Sequence, residues 1–273
     1  MAVKKRKTRR STLRWIVTAV LGGIVFYSGT QLASSLLTYR QEAAMHNELL
    51  AYRPMGISAP DLAKSGEFLA DESTAKEGSQ PEATPREMNQ SIFNLQQRNA
   101  EALGWLSVPG TKIDYPFVQT EDNSYYLARN IDKEQASAGT LFLDYRNNAE
   151  LLDFSSLIYG HHMRNGSMFG SLLSFEDQAF FDEHPIGILH LSYDTYELEI
   201  FAYMVVRADN ATIYNNFDLD IHFHSDYFQY IAENARRYRD ISLMPGDRIL
   251  ALSTCTYEFS NARTVLLSRL KAK

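Results

Sequence analysis

Two apolar runs near the C-terminal end, separated by a short polar segment, are the feature that most limits how this chain can fold. Arg248-Ile249-Leu250-Ala251-Leu252-Ser253-Thr254-Cys255 ends on the only cysteine of the protein. Thr256 to Arg263 follows, and then Thr264-Val265-Leu266-Leu267-Ser268-Arg269-Leu270. Runs of this length bounded by polar residues read as strand, loop and strand. A cysteine closing a core strand stands where side chains leave the packed interior and meet a cleft. Arg263, at the start of the next strand, can share that cleft.

A lone cysteine is more often a small buried hydrophobe than a nucleophile. A second strand end changes the weighing: Ser156-Leu157-Ile158-Tyr159-Gly160-His161-His162-Met163-Arg164-Asn165-Gly166-Ser167-Met168-Phe169-Gly170 breaks its apolar run at Gly-His. The thiolate is the reactive form of cysteine, so a cysteine enzyme needs a proton-transfer partner, usually histidine. Adjacent residues on a strand point to opposite faces, so only one of His161 and His162 can meet the cysteine. Spacing alone leaves both open.

Taken together, Leu252-Ser253-Thr254-Cys255, Arg263, Tyr159-Gly160-His161-His162 and Asn165-Gly166-Ser167-Met168-Phe169 resemble a sortase, and more narrowly its class B branch. The resemblance runs in order over about the last 190 residues, which is far more specific than a short motif. It departs at Ala251, where many sortases carry threonine. The family implies Cys255, His161 and Arg263 as catalytic residues, with Asn123, Leu127, Ile213 and Ser253 as substrate contacts. It implies no cofactor. It also implies a secreted protein bearing a C-terminal sorting signal as first substrate. The second is an amine of peptidoglycan (lipid II) or of a pilin, so the net reaction is transpeptidation after a threonine. Class B members typically recognise Asn-Pro-x-Thr-Asn-like motifs.

At the other end, the first fourteen residues hold Lys4, Lys5, Arg6, Lys7, Arg9, Arg10 and Arg14 and no acid. The net charge of the chain is -6, so the remainder, with 20 basic against 33 acidic residues, carries -13. An acidic body excludes the usual electrostatic footprint of nucleic-acid binding. No charged residue occurs between Trp15 and Leu37. About 20 apolar residues at helical rise cross a bilayer's hydrocarbon core, and the basic block holds the N-terminus in the cytoplasm. The expected order is a cytoplasmic segment over 1–14, a transmembrane signal anchor over 15–37, a helical stalk and flexible linker over 38–85, and an extracellular catalytic domain over 86–273. Leu32-Ala33-Ser34-Ser35 offers a rival reading as a cleavable signal; the length of the uncharged stretch favours an uncleaved anchor. A single cysteine in an exported protein forms no internal disulfide, and keeping a free thiol there points to a task for it.

Between Arg53 and Pro85, Pro, Gly, Ser and acidic residues punctuate a stretch poor in large apolar side chains, as in a tether. Phe68-Leu69 inside it reads as a solvated pair, with transient docking as the alternative. Arg86 to Leu103 then reads as an amphipathic helix ended by Gly104, and 105–118 as two strands around Pro109-Gly110. Residues 123–127 read as a loop or short helix, 139–144 as a strand, 171–181 as helical, and 186–191 and 196–207 as strands. Ser225 to Arg239 carries Tyr227, Phe228, Tyr230, Ile231, Ala235 and Tyr238 at helical spacing. Many short strands with peripheral helices make a mainly β, α+β chain, a mixed β-barrel. The resemblance specifies an eight-stranded sortase barrel with an N-terminal helix and an inserted helix before the cysteine strand.

His161, His162, His222 and His224 with Cys255 lack the ligand spacings of structural zinc sites, so no metal is expected. Two other functions share these residues. A cysteine hydrolase would finish with water, and a membrane-tethered binding module would not need Cys255.

Overall fold

The computed structural model describes residues 5–55, 87–256 and 260–273, and the chain divides into two compact units, 1–48 and 49–273. The described residues of the first unit form one helix, α1 (Lys5–Leu49), which ends on the first residue of the second unit and is about 68 Å long at 1.5 Å per residue. Trp15, Ile16, Val20, Leu21, Ile24, Val25, Phe26 and Tyr27 are all exposed on it. By length and composition this helix is able to cross a membrane. The tether, with Phe68-Leu69, falls almost wholly outside the described residues, as do Tyr257, Glu258 and Phe259 of the polar segment after Cys255.

The second unit is a closed barrel. Its strands are β1 (Ala102–Ser107), β2 (Asp114–Val118), β3 (Leu141–Leu143), β4 (Ser155–Tyr159), β5 (Ile186–Leu191), β6 (Thr195–Arg207), β7 (Arg237–Tyr238), β8 (Ile249–Cys255) and β9 (Ala262–Ala272). They run β5-β1-β2-β3-β4-β8-β9-β6, and pairing of β5 with β6 closes the ring of eight. The two-residue β7 only adds to the side of β6. Closure removes the sheet edges that an open sheet would have to protect.

Two packed clusters explain the alternation of side chains. Leu106, Phe117, Leu143, Ile158, Leu189, Tyr203, Leu250, Leu252 and Leu266, contributed from around the ring, fill the barrel. Leu157, Phe201, Met204, Ile249, Ala251, Val265 and Leu267 face outward and are covered by α4 (Ala211–Tyr214) and α5 (His224–Asn234) through Ile213, Tyr227, Phe228 and Ile231. β8 is thus buried on both faces. Its unbroken Ile249–Leu252 run, without alternation, follows from that. Ala251 belongs to the outer cluster and faces the covering helices.

Three boundaries differ from the sequence reading. The helix expected over 86–103 is α2 (Gln90–Arg98), capped by Asn89, whose side chain accepts from the Ser91 and Ile92 N–H groups. Leu103 and Gly104 lie instead in β1, because that segment pairs with both β2 and β5. Gly104 is there for close approach rather than for helix termination: a Cβ would stand 2.2 Å from the His190 carbonyl oxygen and 2.8 Å from the Phe117 ring. The helical stretch 171–181 is a 3-10 turn over Gly170–Glu176 followed by α3 (Gln178–Glu183). Tyr238 leaves the stripe of α5 to pair with Ala202 in β7.

Gly104→Ala therefore forces two strands apart. Overpacking of this kind costs about 1–3 kcal/mol, and thermal denaturation should show the melting temperature falling by several degrees.

Candidate active site

Three neighbouring strands deliver three of the expected side chains to one end of the barrel. β4 and β8 run parallel, with Tyr159 opposite Ser253. The pairing continues past the strand end, where the Gly160 N–H donates to the Ser253 carbonyl at 3.2 Å and the Thr254 hydroxyl donates to the Gly160 carbonyl at 2.7 Å. Carried one residue further, the same register sets His161 against Cys255, at the roughly 5 Å that separates neighbouring strands. On the far side of Cys255, β9 runs antiparallel with Arg263 directly opposite. Paired residues point to the same face, so the register brings His161 to Cys255 and turns His162 away, toward a bridge with Met168. Burial, then the Arg164 charge, holds the His162 imidazole below its ordinary value.

Exposure changes abruptly at the end of β8. Ser253 and Thr254 are buried and Cys255 is exposed, and the thiol is not in a disulfide. His161 is half-buried, and its Nε2 lies 2.7 Å from the Leu127 carbonyl oxygen. A carbonyl only accepts, so Nε2 carries the hydrogen and Nδ1 is the nitrogen left to exchange a proton. The Arg263 guanidinium donates to the Ala262 carbonyl at 3.0 Å.

The other expected contacts are placed differently from one another. Leu127 sits in a loop before β3, in a 3-10 turn over Tyr125–Ala128, and the residue is 40% exposed. Asn123 lies in the same loop, donating to an Asp144 carboxylate oxygen at 3.0 Å and accepting from the Tyr145 N–H at 3.0 Å. Ile213 is fully buried in the outer cluster. Ser253 is buried one turn of the pleat below the thiol, with its hydroxyl 3.0 Å from that of Tyr214. Tyr214 itself was not picked out by the sequence pattern. Burial pushes its phenol up to about 12; the Ser253 bond and the Arg263 charge oppose that rise, and the nearby Cys255 adds to it.

Among the described residues, no group of three or more His, Cys, Asp or Glu side chains is arranged to hold a metal. His224 illustrates the alternative fate of a histidine: it stacks on Phe154, donates through Nε2 to the Leu219 carbonyl, and accepts from the Gly246 N–H.

A sortase-domain family model matches residues 106–271, and over 266 residues the chain is 32% identical to sortase B of Listeria monocytogenes, covering 97% of this chain and 99% of that one. The chain belongs to the sortase family, in its class B branch. The crystal structure of Clostridium perfringens sortase B superposes with a TM-score of 0.62 at 33% identity, covering 66% of this chain and 98% of that one. A Streptococcus pyogenes class B sortase involved in pilus biogenesis gives a TM-score of 0.61, also at 33% identity, over 66% of this chain and 97% of that one. Sortases are cysteine transpeptidases acting between a sorting-signal protein and a cell-wall amine, and they are membrane-associated or cell-wall enzymes.

One further cluster ties down both sides of this sortase's site. The Asp144 carboxylate is fully buried and receives Nε and Nη2 of Arg146, each at 2.8 Å, as well as the Asn123 amide and the Tyr159 hydroxyl at 3.1 Å. Arg146 also donates to the Tyr214 carbonyl and to the Asn215 side chain, and lies over the Phe217 ring. The pair therefore links the loop of Asn123 to the segment of Ile213 and Tyr214. Burial raises the Asp144 pKa, but the bonds and charge of Arg146 outweigh it, and the carboxyl stays below the usual value of 3.8. Its contribution to stability is present above that unfolded value and is lost as pH falls through the lower folded one.

Asp144→Asn should cost roughly 1.5–3 kcal/mol at neutral pH, the size of hydrogen bonds to a charged group. In denaturant titrations, the gap between the two proteins should narrow as pH is taken from neutral to below 3.8.

Proposed function

We propose that this sortase cleaves a C-terminal sorting motif of the Asn-Pro-x-Thr-Asn or Leu-Pro-x-Thr-Gly type after threonine and transfers the acyl group to an amine of peptidoglycan, carried by lipid II, anchoring surface proteins to the cell wall. The observation that carries this reading is the register that sets His161, two residues past the end of β4, beside Cys255 on β8, with Arg263 of β9 directly opposite the cysteine.

The Cys255 thiol passes its proton to Nδ1 of His161, and the thiolate attacks the threonine carbonyl carbon. As the tetrahedral intermediate collapses, the peptide C–N bond breaks and His161 delivers the proton at Nδ1 to the departing amine. A thioester remains on Sγ. The incoming amine then attacks the same carbon, His161 takes up its proton, and the C–S bond breaks, restoring the thiolate. Arg263 supplies charge-assisted hydrogen bonds to the oxyanion or to the substrate backbone, with a planar fork that lysine does not offer. Asn123, Leu127, Ile213 and Ser253 belong to the substrate groove in this reading: Leu127 through its exposed side chain, and Asn123, Ile213 and Ser253 by shaping the walls and floor. No metal or cofactor takes part.

The apolar face all round α1 supports an anchor over 15–37, with 1–14 in the cytoplasm. Residues 38–85 would serve as stalk and linker, and the catalytic domain from residue 86 onward would work on the extracellular face. The pilus-associated Streptococcus pyogenes relative favours one second reading, in which the acceptor is a pilin amine.

Full-length protein in detergent micelles, given peptides of both motif types with an oligoglycine or a diamine, should yield an amine-joined product by mass spectrometry. Cys255→Ala should abolish it. Arg263→Ala should lower turnover roughly 10²–10³-fold, as for loss of an oxyanion donor, and Arg263→Lys should recover only part. Hydrolysed product alone would indicate a cysteine hydrolase, and no cleavage with Cys255 unreactive to alkylation would leave a binding module.

A further inference from the structure

The Leu127 carbonyl that receives His161 belongs to a peptide segment held with more bonds than its exposed side chain explains. Leu127 contributes little to the core, yet the residue before it is clamped. Tyr126 is 1% exposed, its hydroxyl donates to Glu101 Oε2 at 2.5 Å, and it accepts from Asn99 Nδ2 at 2.7 Å. The same Asn99 amide donates to the Ile131 carbonyl, further along the loop. Glu101 is also met by Lys133 Nζ at 2.9 Å. The Tyr126 carbonyl accepts from the Thr140 N–H at 3.0 Å, the Leu127 N–H donates to the Ser124 carbonyl, and the Ala128 carbonyl accepts from the Ala136 N–H.

The fourth side of this shelf is a glycine. Gly139 has φ +62°, and a Cβ there would lie 2.5 Å from the Tyr126 oxygen, 2.9 Å from the Leu127 oxygen and 3.1 Å from the Leu127 carbonyl carbon. Any side chain would push away the very carbonyl that His161 uses.

We propose that the Tyr126–Leu127 shelf, clamped by Asn99 and Glu101 and fitted against Gly139, is a positioning device that holds His161 in its Nε2–H form and presents Nδ1 to the reacting atoms. Which ring nitrogen carries the hydrogen is set by the bond the other end makes, and the terminal torsion of histidine is otherwise broad. Displacement by about 1 Å at a proton-transfer group can cost on the order of 10²-fold in rate. Tyr126 and Gly139 are thus positioning residues acting through the Leu127 carbonyl. Among the described residues of β8 and β9, Cys255 and Arg263 are the titratable and charged groups that the register sets beside His161. The proposal rests on the reading of His161 as the proton-transfer group.

The test uses full-length protein in detergent micelles with ¹⁵N-labelled histidine, the His161 ring signals being assigned by their loss in His161→Gln. In the parent protein the neutral ring should show Nε2 protonated and Nδ1 bare. Gly139→Ala should mix the two tautomers and lower kcat at least about tenfold, the scale expected for a misplaced proton-transfer group, with KM nearly unchanged. Tyr126→Phe should act in the same direction, and it carries the test if Gly139→Ala does not fold. Gly246→Ala is the control: its φ is +98° but a Cβ there meets nothing within 4 Å, so it should lose stability while leaving the His161 signals and kcat as they were. A bare Nε2 in the parent protein, or variants that lose only thermal stability, would overturn the proposal. Undiminished transfer by His161→Gln would instead remove the functional reading while leaving the tautomer result to stand.

Discussion

The parallel pairing of β4 with β8 determines what can happen at the end of this barrel. Its register, extended by the Thr254 hydroxyl on the Gly160 carbonyl, decides that His161 and Cys255 leave the sheet together. Because side chains alternate along a strand, a slip of one residue would exchange His161 for His162 and bury the thiol. The register is held from both faces. Leu250 and Leu252 lock β8 into the barrel interior, while Ile249 and Ala251 lock it under α4 and α5. A strand packed on two sides has little freedom to slide, so the helices covering β8 matter to the site through the register they hold.

Around that fixed floor the walls are loops, and loops have no ladder of their own to hold them. Buried polar contacts replace it. Asp144 with Arg146 joins the loop of Asn123 to the segment of Tyr214, and Asn99 with Glu101 grips Tyr126 beside the carbonyl that meets His161. Both clusters start where elements end: Asp144 follows β3 directly, and Asn99 and Glu101 lie in the short link between α2 and β1. The mouth is therefore shaped by groups distant in sequence, acting through charge-assisted bonds that are strong when shielded from water.

α1 obeys a different rule. Its apolar residues between Trp15 and Leu37 point in every direction and are exposed, and the helix is long and apolar enough to cross a membrane. The barrel unit, by contrast, sorts each strand into an inner and an outer face.

Much was legible from the chain itself. The long uncharged stretch, the strands at 186–191 and 249–255, the helix after Ser225 and the strand ends bearing Cys255, His161 and Arg263 all show in local pattern, since burial on one or two faces dictates periodicity. The 86–103 segment misled because Leu103 and Gly104 satisfy a helical pattern as well as a strand's, and only pairing with β2 and β5 decides between them. The choice between His161 and His162, the burial of Ile213, and the approach of Tyr214 to Ser253 had no local signal. Each depends on which strands and loops lie side by side, and such contacts between residues tens to more than a hundred positions apart exist only once the barrel has closed.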